Sequence, residues 1–283
     1  MMRSRSVIVF ERGRGSQTIE RTWCPGELKE GTVSLTGKRA ALLLATVVTV
    51  LATASCVCIG EKVDLIDMRT ESHSVELDGA ERVAVELEMG IGTLELSGGS
   101  DTLLDAEFRY NVAEWEPVVS YSVNGGRGRL LIRQPQSEGK SFPRNAENEW
   151  ILRLNEDVPM TIDIDLGVGK ARMYLGDLDL RDLTVDHGVG DLMINLAGEW
   201  TNDLTARIDG GVGKLVLTVP SSIGVRLDTD TGIGSVSTHG FTKRGGVMVN
   251  DAYDTGGAQI DVSIDAGIGS ITVTASDTGV TGV

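Results

Sequence analysis

From residue 82 to residue 273 the chain returns again and again to an alternation of apolar and polar positions. Val83, Val85, Leu87 and Met89 stand between Arg82, Ala84, Glu86 and Glu88, and Leu94 and Leu96 resume the pattern. A period of two with one apolar side predicts half-buried strands, because successive strand side chains point to opposite faces. Further strands are predicted at Ala106–Tyr110 and Arg129–Ile132. Asn124-Gly125-Gly126, between Val119–Val123 and the second of these runs, signals a hairpin. Arg133 to Glu149 collects Pro135, Gly139, Pro143 and several charges without an apolar period, which predicts a solvated loop.

Beyond that loop the alternation becomes dense. Ile162, Ile164 and Leu166 alternate with Asp163 and Asp165, and Leu178, Leu180, Leu183 and Val185 follow. Then come Leu192, Ile194 and Leu196, Leu204, Ala206 and Ile208, Leu215, Leu217 and Val219, and Ile223, Val225 and Leu227. Glycine punctuates these runs as Gly90-Ile91-Gly92, Gly167-Val168-Gly169, Gly188-Val189-Gly190, Gly211-Val212-Gly213, Gly232-Ile233-Gly234 and Gly267-Ile268-Gly269. From Gly167 to Gly232 the copies recur every 21 to 23 residues, the length of one rung in a stacked solenoid. Each copy is expected to turn the chain between two strands, with its Ile or Val pointing inward as a plug. The fold class is therefore all-β and repeat-built, with solenoid-like stacked strands and Gly-Ile/Val-Gly turns. A loop at Gly240–Gly257 precedes a last pair of runs, Ile260–Ile264 and Ile271–Val273.

Composition agrees with many short strands and tight turns, since glycine contributes 36 of 283 residues and aromatic residues 4%. The formal net charge is -15, and residues 1–55 oppose it with about eight basic and four acidic side chains. So acidic a folded region argues against nucleic acid as a partner, because phosphate binding needs a basic face. Lys38-Arg39 followed by the apolar run Ala40–Ser55 reads as an export signal. Thr53-Ala54-Ser55-Cys56 fits a permissive lipobox with Cys56 as the lipidated residue, although it lacks the favoured Leu three positions before the cysteine. Ala52-Thr53-Ala54 fits an ordinary signal-peptidase site. Ala40–Ile59 is also just long enough to stay as a membrane anchor. Residues 1–37 read as a disordered leader or as a mis-assigned start, with translation beginning near Val33. Cys24, Cys56 and Cys58 all precede the folded region, so neither disulfides nor thiolate metal sites hold it together.

Candidate chemistry is sparse. Gly-Val-Gly-Lys at Gly167 and Gly211 lacks both ends of a Walker loop: Ile164 and Ile208 stand where its first glycine belongs, and Ala171 and Leu215 follow the lysines. Aspartates such as Asp163, Asp165, Asp186, Asp209 and Asp230 raise calcium, but the nonapeptide period of calcium solenoids is absent. They read more simply as a solvated strand face. His73, His187 and His239 show no metal spacing, and His187 beside Asp186 reads as an exposed turn histidine before half of an acid-base pair. Carboxylate pairs suited to glycoside cleavage cannot be picked from sequence. Tyr110, Trp115, Trp150, Trp200, Phe241 and Tyr253 are expected to plug rung ends rather than line a groove. No catalytic, cofactor-binding or metal-ligating residue is assigned, no cofactor is expected, and the chain is expected not to be an enzyme.

Asn148-Glu149-Trp150-Ile151-Leu152-Arg153-Leu154-Asn155, Val158-Pro159 and the aspartate-alternating run into Gly167-Val168-Gly169 resemble the bacterial toast-rack domain. Trp115-Glu116-Pro117 and the run Leu178–Gly190 fit the same pattern. Gly211-Val212-Gly213, Asn250-Asp251-Ala252-Tyr253 and Gly267-Ile268-Gly269-Ser270-Ile271 resemble the C-terminal domain of LiaF-like cell-wall-active-antibiotics-response proteins and related adhesin-like domains. The resemblance spans about residues 74–275. It implies a toast-rack-like β domain at 74–195 and a LiaF-like β domain at 196–275, while the residues themselves make 38–58 a signal peptide or membrane anchor and the small, polar 276–283 a frayed tail. The resemblance further implies an extracytoplasmic, membrane-anchored module of the cell envelope, tethered through its N-terminal segment. Its partner would be an envelope protein or a cell-surface polymer, and its role binding or envelope-stress response. The LiaF-like pattern has several N-terminal transmembrane helices, whereas this chain has one export-like segment. Alternatives are an adhesin-like surface protein and a polysaccharide-acting β-solenoid enzyme.

Overall fold

Alternating apolar residues extend further than the turns between them would suggest, and this decides the architecture. The computed structural model describes residues 61–136 and 140–277. The signal or anchor segment, Cys56 and the last residues of the tail lie outside them. In chain order the strands are β1 (Glu61–Lys62), β2 (Leu65–Val75), β3 (Arg82–Ser97), β4 (Leu104–Val112), β5 (Val118–Asn124), β6 (Arg127–Arg133), β7 (Lys140–Ser141) and β8 (Asn148–Leu154). They continue with β9 (Met160–Tyr174), β10 (Leu180–Asn195), β11 (Leu204–Val219), β12 (Gly224–His239), β13 (Thr242–Arg244), β14 (Val247–Val249) and β15 (Gln259–Ala275). A 3-10 turn at Ala113–Trp115 is the only helical element among the described residues. None of them forms a helix long and apolar enough to cross a membrane.

The Gly-Ile/Val-Gly copies do not separate strands, as the sequence reading expects, but lie inside six long ones. Alternation of burial shows what they do. In β9 the buried side chains are Met160, Ile162, Ile164 and Leu166, then Ala171 and Met173, so the phase shifts by one residue across Gly167-Val168-Gly169. The strand bends there, and both arms of the bend turn an apolar face to the same core. Pairing is parallel and in register: Ile162 stands between Val85 and Leu183, and the same row continues through Ala206, Val262 and Leu227. In the second arms Leu94, Ala171, Leu192, Leu215 and Ile271 form an equivalent row. All of these residues are nearly fully buried in one continuous cluster, and only Val236, which ends the second row on β12, is exposed.

Where one copy stacks on the next, the glycines have a steric reason. A Cβ at Gly167, Gly188 or Gly211 would sit 2.2–2.4 Å from the carbonyl oxygen of the first glycine in the neighbouring copy. At Gly169, Gly190 and Gly213 it would sit 1.7–1.8 Å from the second glycine's oxygen. Those second glycines also have φ of 141–151°, a region that only glycine enters freely. The repeat is thus a column of stacked backbone bends with no room for side chains at the glycines that face the neighbouring copy.

The sheet has 13 strands in the order β13-β14-β12-β15-β11-β10-β9-β3-β8-β4-β2, with the β5–β6 hairpin attached to β3. The Asn124-Gly125-Gly126 hairpin is present, with β5 and β6 antiparallel. At β3 the two arms part company: the first pairs with β6, and the second with β8. Here the column begins, and two buried amides close it. Gln134 Oε1 accepts a hydrogen bond from the Ile91 N–H at 3.1 Å, and Asn148 Nδ2 donates to the Ile91 carbonyl at 2.8 Å. Gln134 is 5% exposed, so the segment expected to be a solvated loop contributes a core residue at its start. At the far end the expected loop Gly240–Gly257 contains the β13–β14 hairpin, which pairs with the first arm of β12. β15, the last strand among the described residues, lies between β11 and β12.

Candidate functional site

The bends expose what the sequence reading places inside. Val168, Val189, Val212, Ile268 and Ile233 are 51%, 47%, 45%, 50% and 69% exposed, so they are surface residues and not plugs. The physical reason is the phase shift: inward positions end one residue before the first glycine and resume two residues after the second. The middle residue of each triplet is left on the outside of the bend. Register stacks them into a ladder, Ile91 beside Val168, then Val189, Val212, Ile268 and Ile233.

A second ladder runs alongside. Glu88, Asp165, Asp186, Asp209, Asp265 and Asp230 occupy one register row, two positions before the first glycine of each triplet. Strands 4.7–4.9 Å apart put the six carboxylates in a line about 24 Å long. None of them has an ion-pair partner among the described residues. Acidic residues further from the bend do: Arg129 pairs with Glu86 at 2.7 Å, Arg207 with Asp182 at 3.5 Å, and Arg226 with Asp261 at 3.5 Å. Asp163, one row back, has its carboxyl pushed up by burial and by the charges of Asp186, Glu86, Asp165 and Asp182.

Along the acidic ladder runs a groove that takes in the first glycines, and of the apolar ladder only Ile91 and Val168 line it, in its second stretch. One stretch, about 650 Å³, runs over Asp165, Gly167, Asp186, Gly188, Asp209, Gly211, Asp265, Gly267, Asp230 and Gly232. A second, about 540 Å³, shares Asp165 and Gly167 and continues over Glu88, Gly90, Ile91 and Val168 to Trp115, Gln134 and Phe142. Trp115 and Phe142 pack with ring centroids 4.9 Å apart. No lysine or arginine lines either stretch. Among the described residues no group of three or more His, Cys, Asp or Glu is placed to hold a metal ion. Carboxylates in a straight row cannot converge on one cation.

The candidates from sequence fall differently. His187 is 6% exposed, not an exposed turn residue. β10 runs on through it, so alternation sends Asp186 out and His187 into the core, beside Leu166 and Gly210 in its row. The neighbours in sequence therefore sit on opposite faces and form no acid-base pair. Its Nε2 has no hydrogen-bond partner. Burial lowers its pKa, against a backbone hydrogen bond to Gly169 and the charge of Asp191. His73 lies elsewhere, 3.7 Å from Glu71, and His239 ends β12. Tyr110, Trp115, Trp150 and Trp200 are buried as expected, while Phe241 and Tyr253 are only half-buried. The groove itself is missed by the sequence reading. Its signal is present, since an acidic residue stands two positions before every triplet, but its meaning depends on register.

The family model of the N-terminal domain of toast_rack, DUF2154, matches residues 66–218. A comparison with the curated proteins finds no match. Among solved structures, a candidate cell adhesion protein from Clostridium sporogenes ATCC 15579 is 34% identical with a TM-score of 0.72, over 74% of this chain and 100% of that one. A candidate adhesin from Bacteroides fragilis NCTC 9343 is 12% identical with a TM-score of 0.30, over 76% of this chain and 100% of that one. The second likeness is too distant to carry an argument.

Proposed function

We propose, from the premise that this chain belongs to the toast-rack family, that it is a non-catalytic surface-binding module of adhesin-like type, held outside a membrane by its N-terminal segment. The observation that carries the reading is a pair of exposed rows in register on the same strands: about 24 Å of carboxylates without ion pairs, and a ladder of half-exposed Val and Ile. Exposed apolar residues arrayed in a strip mark interaction surfaces. A polysaccharide-cleaving site would need two carboxyl groups held in different environments, with one poised as acid. Here the row repeats one environment strand after strand, with no basic residue lining it. The partner is an envelope protein or a cell-surface polymer. Similarity to the Clostridium protein favours adhesion over an envelope-stress role.

Cells deleted for the chain are expected to lose attachment to neighbouring cells or to glycan-coated surfaces, measured by retention under flow. Attachment equal to that of cells carrying the chain would end the adhesion reading. The tether rests on the lipobox-like Thr53-Ala54-Ser55-Cys56. Cys56→Ser is expected to abolish acyl labelling and shift the chain out of the membrane fraction, and full membrane retention with undiminished label contradicts it.

A further inference from the structure

Three features of the bends point to one kind of occupant. The bends carry two unlike exposed rows, carboxylates and, three residues further on, β-branched side chains, both in register on the same strands. Beside the aspartates the backbone is bare, because Gly167, Gly188, Gly211, Gly232 and Gly267 have no side chains and no room for any. The acidic row is left without cations although arginines pair with acidic residues elsewhere on the same arms. A cationic partner complements that row, and an apolar one covers Val168, Val189, Val212 and Ile268, which are about half exposed. An extended polypeptide presents both at once, since successive side chains leave its backbone on opposite sides.

Resting on the binding reading above, we infer that the groove takes an extended polypeptide segment in which cationic and apolar side chains alternate. Its backbone lies across the strands over the first glycines, its cations toward Asp165, Asp186, Asp209 and Asp265, its apolar groups toward the valines. A ladder of about 24 Å is matched by roughly seven extended residues. Affinity therefore rises with peptide length up to about that number and then levels off.

The full chain, kept in detergent micelles with its N-terminal segment, is titrated with a fluorescent peptide of alternating Lys and Val about ten residues long, enough to cross the ladder. Saturable binding is expected, weakened by at least about tenfold by Val189→Asn with Val212→Asn, and likewise by Asp186→Asn with Asp209→Asn. These side chains are exposed, so the variants should keep the wild-type circular dichroism spectrum. An all-Lys peptide is expected to bind more weakly and to lose binding in salt, and an alternating Glu and Val peptide not to bind. Equal binding of the all-Lys peptide, or no effect of the valine substitutions, overturns the inference and leaves a plain acidic surface. So does self-association of the chain that these valine substitutions abolish, since the occupant is then a second copy. If the peptide binds but attachment of cells is independent of the chain, the adhesion reading fails and the ligand assignment stands. If attachment depends on the chain and the peptide does not bind, the assignment fails alone.

Discussion

His187 is where a single residue departs furthest from its apparent role. Beside an aspartate and before a glycine it looks like a turn histidine, yet it fills the inner row beside Leu166 and next to Gly210. Burial holds the imidazole neutral, so its folded-state pKa lies below the ordinary 6.5. Between the two values the unfolded chain binds the extra proton. Stability from this site is thus complete above about pH 6.5 and is lost as pH falls through the folded value. His187→Leu, which copies its row neighbour, is expected to reduce the fall in thermal midpoint between about pH 7 and 5, a window set by the ordinary histidine pKa. An unchanged slope would place the acid sensitivity elsewhere. The residue's environment was illegible in sequence because the direction of its side chain depends on the strand continuing past it. Glycines usually argue for the opposite.

At the scale of the element, the strands themselves were legible and their joints were not. Period-two runs mark both arms of β9, β10 and β11, since each arm buries one face. What periodicity does not carry is whether Gly-Val-Gly ends a strand or bends it. That is decided by neighbouring carbonyls that occupy the space of the missing side chains. Gly190→Ala puts a Cβ 1.8 Å from the Gly169 oxygen at φ 141°, and about 3 kcal/mol or more of lost stability is expected. Gly245→Ala, at φ 56° in the β13–β14 turn with nothing within 4 Å, should cost only about 1–2 kcal/mol. Chemical denaturation of both variants compares them, and equal losses would mean that stacking adds nothing to the strain of the dihedral. Gln134 and Asn148 show the same logic where stacking stops. With no further copy beyond β3, side-chain amides supply the partners that backbone supplies elsewhere. Neither could be assigned this duty from sequence, because they come from segments 43 and 57 residues away.

For the whole molecule, a chain of net charge -15 has concentrated part of that charge in one uncompensated row. Like charges directly opposite across strands are destabilising, so the row works against the stack that builds it. Asp186→Asn with Asp209→Asn is expected to raise the thermal midpoint and to lessen its increase with salt, while weakening peptide binding in the groove. A lower midpoint in the double variant would show that the row stabilises the fold. The all-β repeat architecture was readable from spacing alone, because each rung must bury the same face. The order of the rungs was not. Gly211 and Gly232 are 21 residues apart, the spacing of true neighbours, yet β15 stands between their strands. Synthesis proceeds from the N-terminus, so when residue 239 has been made the edge of β11 is bare and β12 is the nearest strand of matching length and pattern. The native stack is reached only if that seat stays open, or is vacated, until residues 259–275 arrive. A strand made after both of its neighbours thus completes the interior of the stack, and a chain that stops before it carries two β edges that fit each other in the wrong order.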